Sequence, residues 1–312
     1  HYDAMYIGHM DTVFPDGTAE KRPFRIEGEN YYGPGVGDMK NGDLAMFHIA
    51  ANLPETEKKC LNIAMVYNPD EEIGSIYSKE ITDRIGCQAD HIFVMESAGK
   101  NGTRHCFARK GSLTYDIEFQ GQAAHAGFMF EVENASAVLE MGHYIVELMS
   151  LADREKDTTV NVGIANGGTA RNVVADNAKI SVEMRFRDDS ERIRLKEYVN
   201  KITEGQPFVP GVKTTITMQK ETPPFIKTEE AKKYIERVRK IAEEHGIPFE
   251  EKDRGGLSDA NHLSRCGKAI VMDGMGPHGA NDHSEKEYGY IGSVEPCVKL
   301  HLAILNDMLN KQ

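Results

Sequence analysis

Several side chains able to bind a cation or move a proton stand at suggestive spacings. His9 and Asp11 are two residues apart, so in an extended segment they share a face and the carboxylate can orient the imidazole. Asp70, Glu71 and Glu72 are consecutive carboxylates, which can divide between holding a metal and handling a proton. Glu96 follows the run HIFVM, Asp38 sits in GPGVGDMKNG, and GPHGANDHSEKEY carries His278 and His283. Taken singly, each has an ordinary explanation: a capped loop for H-x-D, a solvated turn for the acidic triplet. The glycine-rich stretch is not expected to cradle a phosphate. Gly33, Gly35 and Gly37 lead into Asp38 rather than completing G-x-G-x-x-G, no GK[ST] follows, and an acid stands where the phosphate would sit.

What gives these residues weight is what precedes them. Four short apolar runs, at 4–7, 62–67, 91–95 and 269–272, are continuous rather than alternating, which predicts strands covered on both faces in a largely parallel sheet. Open α/β sheets collect ligands at the carboxyl ends of their strands. The first run leads into His9 and Asp11, the second into the acidic triplet, the third into Glu96, and the fourth precedes the two histidines. Helical spacing over 44–53 stops at Pro54, and a helix over 229–244 ends at Gly246, a C-cap. The middle third differs. Alternation over 113–119, 160–164 and 180–186 predicts half-exposed antiparallel strands, with helical runs at 135–151 and 190–202 and a last strand at 212–218. That order, β-α-β-β-α-β, is ferredoxin-like. The expected architecture is α/β. A mostly parallel-stranded catalytic domain (residues 1–110 and 222–312) carries an inserted α+β lid or dimerisation domain (111–221), with junctions near Lys110 and the Pro223-Pro224 pair.

The chain's 312 residues suit about two domains. Thirty-seven Lys and Arg against 49 Asp and Glu give a net charge of −12 with no dense basic run, so neither nucleic acid nor an anionic membrane surface is an expected partner. No stretch approaches the roughly 18 to 20 apolar residues that cross a bilayer. Five scattered cysteines, with no C-x-x-C pair, argue against a disulfide framework or zinc knuckle and lean towards reduced thiols and a cytoplasmic location. The sequence starts at His1 and enters an apolar strand almost at once, so residues upstream, and any signal peptide among them, are expected to be missing.

In this order, GHMDTV, GPGVGDMKNG, NPDEEIGS, VMES, GQAAHAG, GGTARNVVADNA, GGLSDANH and GMGPHGANDHSEKEY span nearly the whole chain. As a set they resemble the di-zinc peptidases of the glutamate carboxypeptidase and aminoacylase family, which also includes acetylornithine and succinyl-diaminopimelate deacylases and aminotripeptidases. Similarity is greatest to the glutamate carboxypeptidase branch, through GGLSDANH and HSEKEY. The resemblance implies two zinc ions, one held by His9, Asp38 and Glu96 and the other by Asp38, Glu72 and His283, with Asp38 as the bridge and Co²⁺ or Mn²⁺ as other candidates. His278 is the fallback for His283. It further implies that Glu71 is the general base towards a metal-bridging water, that Asp11 orients His9, and that a cis peptide follows Asp38. His125 would stabilise the oxyanion, and Asn172, Arg185, Gly255 and Gly256 would contact substrate. Arg185 also has its own logic, since a guanidinium forks onto a carboxylate.

The implied reaction is hydrolysis of a C-terminal amide bond in a small peptide or N-acyl amino acid by a homodimer joined through the lid. An N-acyl-amino-acid deacylase is the alternative within the same chemistry, a tripeptide aminopeptidase ranks behind it, and a catalytically silent metal-binding scaffold is the reading from a different class. Because the family places a helical segment and a strand before the H-x-D strand, a sheet edge or face beside residues 4–7 is expected to be exposed.

Overall fold

In the computed structural model, which describes residues 1–310, strands and helices first alternate. The principal elements are β1 (Tyr2–His9), α1 (Asn41–Asn52), β2 (Ile63–Asn68), α2 (Lys79–Gly86) and β3 (Ala89–Val94). The chain continues through β4 (Gly111–Gln120), α3 (Ala137–Met149), β5 (Thr159–Gly167), β6 (Asn177–Phe186), α4 (Asp189–Glu204) and β7 (Lys213–Thr222). It ends with α5 (Glu229–Glu244), β8 (Ile270–Met272), β9 (Gly276–Ala280), β10 (Tyr288–Tyr290) and α6 (Val294–Leu309). Two compact units result: His1–Arg109 with Phe225–Gln312, and Lys110–Pro224.

In the first unit the four apolar runs form a parallel sheet in the order β8-β3-β1-β2. The expectation of an exposed edge beside residues 4–7 is overturned, because β1 pairs with β2 on one side and β3 on the other. Ala4, Met5 and Tyr6 are wholly buried. The edges are β8 and β2, and β2 is only half-covered, with Tyr67 exposed. A continuous apolar run reports which faces are covered and says nothing about which strand lies outermost. On one face Tyr6 stacks on Phe93 at 5.0 Å, and His301 of α6 meets both rings edge-on at 5.2 and 5.4 Å. Met46 and Ile49 of α1, Val238 of α5 and Ile304 of α6 fill the same core. Each fully buried apolar side chain of this kind contributes about 1.5–3 kcal/mol. Helix α5 begins where Thr228 accepts the Ala231 N–H at 3.1 Å and ends at Gly246, whose φ of +67° suits a glycine.

The second unit is an antiparallel sheet in the order β5-β6-β4-β7. Leu113, Tyr115, Ile117 and Phe119 alternate inward along β4 and pack with Tyr144 and Leu148 of α3 and Leu195 and Val199 of α4. Ser136 and Asp188 cap these two helices by accepting the N–H groups of Leu139 and Glu191. All five cysteines are unpaired, and no helix of the described residues is long and apolar enough to cross a membrane.

Candidate active site

Parallel pairing in register brings the strand ends to one edge of the sheet. His9 lies opposite Asn68, and Ile7 opposite Val94, two residues before Glu96. The His9 ring is buried. Its Nδ1 faces Asp11, 3.2 Å from the backbone oxygen and 3.4 Å from Oδ1. The Asp11 carboxylate also accepts the N–H groups of Glu71 and Glu72 at 3.2 and 2.9 Å, so one side chain fixes both the imidazole and the acidic turn. On the other side of the ring, Nε2 lies 3.2 Å from Asp38 Oδ1 and 3.6 Å from Glu96 Oε1 yet makes no hydrogen bond. The second Asp38 oxygen lies 3.1 Å from His283 Nε2, which is itself 3.2 Å from Glu72 Oε2. Asp38 therefore stands between two imidazoles, and the peptide after it, Asp38–Met39, is cis.

The electrostatics are those of a site short of positive charge. Burial raises the Glu71 carboxyl well above its usual range, with Glu96 and Asp259 adding to the shift. Burial and then Asp38 push Glu72 up to about 7, and the same two causes raise Glu96. Asp38 is held low despite burial because the His9 ring, its Nε2 3.2 Å from Oδ1, favours the charged carboxylate. For His9, burial opposes the charged form, but Asp11, Asp38 and Glu96 outweigh it and hold the ring's pKa high. Donor atoms of His9, Asp38 and Glu72 lie within 4.8 Å of one another, as do those of His9, Glu71 and Glu96. An orphaned buried imidazole nitrogen facing several carboxylates, each destabilised by the others, fits divalent cations: nitrogen and oxygen donors in this mixture suit Zn²⁺ and its neighbours.

The structure separates the two late histidines. His278, on β9, donates its backbone N–H to Ser293 Oγ at 2.8 Å and places Nδ1 3.0 Å from the Ala98 carbonyl, away from the cluster, whereas His283 joins it. Gly256 passes its carbonyl to Arg109 at 3.2 Å, and a Cβ on Gly255 would meet nothing within 4 Å, so packing within the chain does not require glycine there. In the second unit, exposed His125 accepts the Gly127 N–H through Nδ1 at 3.1 Å, and the Asn172 carbonyl accepts the Ala126 N–H at 2.9 Å, making the two segments neighbours. Arg185, half-buried on β6, donates to Glu183 at 2.8 Å.

Three structural residues escaped sequence reasoning. Asp259, in GGLSDANH, accepts from Ser75 at 2.5 Å and Asn68 at 2.7 Å and lies 3.0 Å from His262 Nε2, tying together both ends of the loop that carries Glu71 and Glu72. Arg109, paired with Asp273, also donates to the carbonyls of Gly256 and Leu257. Glu287, in HSEKEY, is buried and accepts three backbone N–H groups. Asp259 and Glu287 lie inside quoted motifs, but their partners are up to 252 residues distant, beyond the reach of local patterns.

Beside the strand ends of a parallel α/β sheet, two imidazoles and the carboxylates of Asp38, Glu71, Glu72 and Glu96 make the donor set of a metal-dependent hydrolase. The profile of the peptidase family M20/M25/M40 matches residues 5–307, and the chain belongs to that family. It is 26% identical over 308 residues to carboxypeptidase G2 of Pseudomonas sp. (strain RS-16), covering 97% of this chain and 73% of that one. A succinyl-diaminopimelate desuccinylase of Halorhodospira halophila is 24% identical, covering 97% and 82% of the respective chains. Among solved structures, a tripeptidase from Staphylococcus aureus superposes with a TM-score of 0.81 at 22% identity, covering 99% of this chain and 81% of its own. The metallo-carboxypeptidase Sso-CP2 from Sulfolobus solfataricus gives 0.71 at 17%, covering 99% and 85%. The fold is thus the family's, and the protein is a peptidase or amidohydrolase that depends on metal, which sets aside the silent scaffold.

Proposed function

We propose that the protein is a zinc-dependent exopeptidase that hydrolyses the C-terminal amide bond of a peptide or N-acyl amino acid, in the manner of a glutamate carboxypeptidase. The observation that carries the reading is the convergence of His9, Asp38, Glu72, Glu96 and His283 with Asp38 between the two rings. His9, Asp38 and Glu96 would hold one ion and Asp38, Glu72 and His283 the other; Co²⁺ or Mn²⁺ suit the same donors. Bound there, the ions supply Lewis acidity towards the scissile carbonyl and lower the pKa of the attacking water. Glu71 would take the proton of the attacking water and return it to the leaving amine. Asp11 keeps the His9 Nε2 lone pair aimed inward by engaging Nδ1. His125 is assigned to the oxyanion, and Asn172, Arg185, Gly255 and Gly256 to the substrate, with Arg185 favouring a terminal carboxylate.

The similarity to carboxypeptidase G2 over nearly the whole chain supports the carboxypeptidase reading. An N-acyl-amino-acid deacylase is the second reading, favoured by the similarity to the desuccinylase. The proposal also includes a homodimer joined through the unit Lys110–Pro224 and a cytoplasmic location. Initial rates with added zinc on dipeptides ending in Glu, set against N-acetyl and N-succinyl amino acids, test the choice. The proposal expects kcat/KM to be higher for the dipeptides, and a preference for the acyl amino acids would replace it with the deacylase.

A further inference from the structure

The glycine-rich loop does cradle an anion, and the anion is part of the chain. Glu287 Oε2 accepts the Gly35 N–H at 2.9 Å, and Oε1 accepts those of Gly37 and Asp38 at 2.8 and 3.0 Å. Neighbouring amides of one turn aimed inward in this way form a nest for an anion, and a buried carboxylate that accepts two or three of them is held firmly. The loop's composition follows from that geometry. Gly35 has φ +73°, and a Cβ there would come within 2.3 Å of the Thr12 side chain and 2.4 Å of the Lys40 amine. A Cβ on Gly37 would lie 3.0 Å from the Tyr288 carbonyl and 3.2 Å from Gly279 Cα, so the loop lies flat against the strands on either side of Glu287. From the other side Ser97 donates to the Gly37 carbonyl.

Glu287 stands four residues after His283, and its third donor is the amide of Asp38 itself. We propose that Glu287 is a positioning residue: an internal anion that clasps the Gly35–Asp38 turn and so sets Asp38 against His283, fixing the second of the two metal positions. The inference rests on the two-metal reading above. It affects the two positions unequally. His9 and Glu96 hang on strand ends, with His9 fixed by Asp11 independently of Glu287. Asp38, the bridge, belongs to both positions, but only the second also takes His283, and the segments of Asp38 and His283 are the two that Glu287 joins.

The test is calorimetric titration of the metal-free protein with Co²⁺, following the visible absorption of each equivalent, for wild type, Glu287→Gln and Glu287→Asp. Wild type is expected to take two equivalents. In Glu287→Gln the second should weaken about 10- to 100-fold, the range seen when outer-shell partners of metal ligands are removed, with an altered spectrum for that equivalent, while the first moves less than about 3-fold. Glu287→Asp keeps the charge and guards against a Gln variant that fails to fold; it should weaken the second equivalent by a smaller factor. Two wild-type-like equivalents in both variants would overturn the inference, as would equal weakening of both equivalents. A wild type that takes fewer than two ions would instead overturn the two-metal reading on which it rests.

Discussion

Buried carboxylates are handled in opposite ways in the two units. In the second unit Glu140 is fully buried and accepts the N–H groups of Phe208 and Val209 at 3.2 and 2.7 Å. Glu191, 2% exposed, accepts from Arg194, Lys156 and Thr158 at 2.7 to 2.8 Å, and the Arg194 guanidinium leads in holding its carboxyl down at about 2. In the first unit burial drives Glu71, Glu72 and Glu96 upward, neighbouring acids add to the rise, and nearby His9, His283 and Arg109 only partly oppose it. A carboxylate surrounded by donors is structural glue, whereas a cluster of mutually repelling carboxylates around an unsatisfied imidazole is stable only with a cation or added protons. The contrast lies in local chemistry, since Glu287 in the first unit follows the rule of the second.

Substitution sharpens the contrast most at Glu71. Removing a general base costs about 10²- to 10⁴-fold in rate, so Glu71→Ala should lose that much kcat in steady-state assays. Melting of the metal-free variant should be unchanged or higher than wild type, because the cost of burying that carboxyl has gone; a variant that melts lower would break the comparison.

Acid probes another difference. Burial holds His105 and His301 neutral, with pKa values lowered to about 4, and His301 places Nε2 2.9 Å from the Met275 carbonyl, which can only accept. Because the folded pKa lies below the unfolded value of about 6.5, stability from the neutral ring is whole above pH 6.5 and is lost as pH falls towards 4. For His301 that loss is roughly 3 kcal/mol. Urea unfolding of wild type and His301→Gln across this range should show the wild type's advantage shrinking by that amount. For Glu191 the folded pKa is depressed, so its contribution is present above the unfolded value and disappears only as pH falls towards 2. The gap between wild type and Glu191→Gln should therefore hold to about pH 4.5, near the ordinary glutamate value, and then close.

Glu140→Ala removes the charged acceptor of the partly buried Phe208 and Val209 N–H groups and should cost about 2–3 kcal/mol in denaturant unfolding, with metal content unchanged. The smallest effect is expected at Asp11→Asn: about 10- to 100-fold weaker zinc binding by calorimetry, because His9 loses its orienting carboxylate while all five proposed ligands remain. Unaltered affinity would show that the acidic turn, rather than Asp11, aligns the ring.

Much of this was legible in the sequence because it depends on local pattern. The four apolar runs pair as one parallel sheet, and the alternating segments of the middle third pair as one antiparallel sheet. Motif residues that follow strand ends, such as His9 and Glu96, arrive at one edge for the same reason. What the sequence concealed depends on distance along the chain. The outermost place of β2 depends on strand order, which hydrophobicity does not encode, and the glycine loop's role depends on Glu287, which is 250 residues from Gly37. Asp259 was hidden likewise, since nothing near it in sequence announces Asn68.

The central claim is a division of labour in which five side chains hold two ions and Glu71 holds none. Zinc stoichiometry of wild type and Glu71→Ala, measured on the same dialysed preparations, tests it most directly. The account predicts two ions per chain in both proteins with hydrolysis lost only in the variant. Fewer than two in wild type, or the loss of an ion in Glu71→Ala, would contradict it and make Glu71 a ligand.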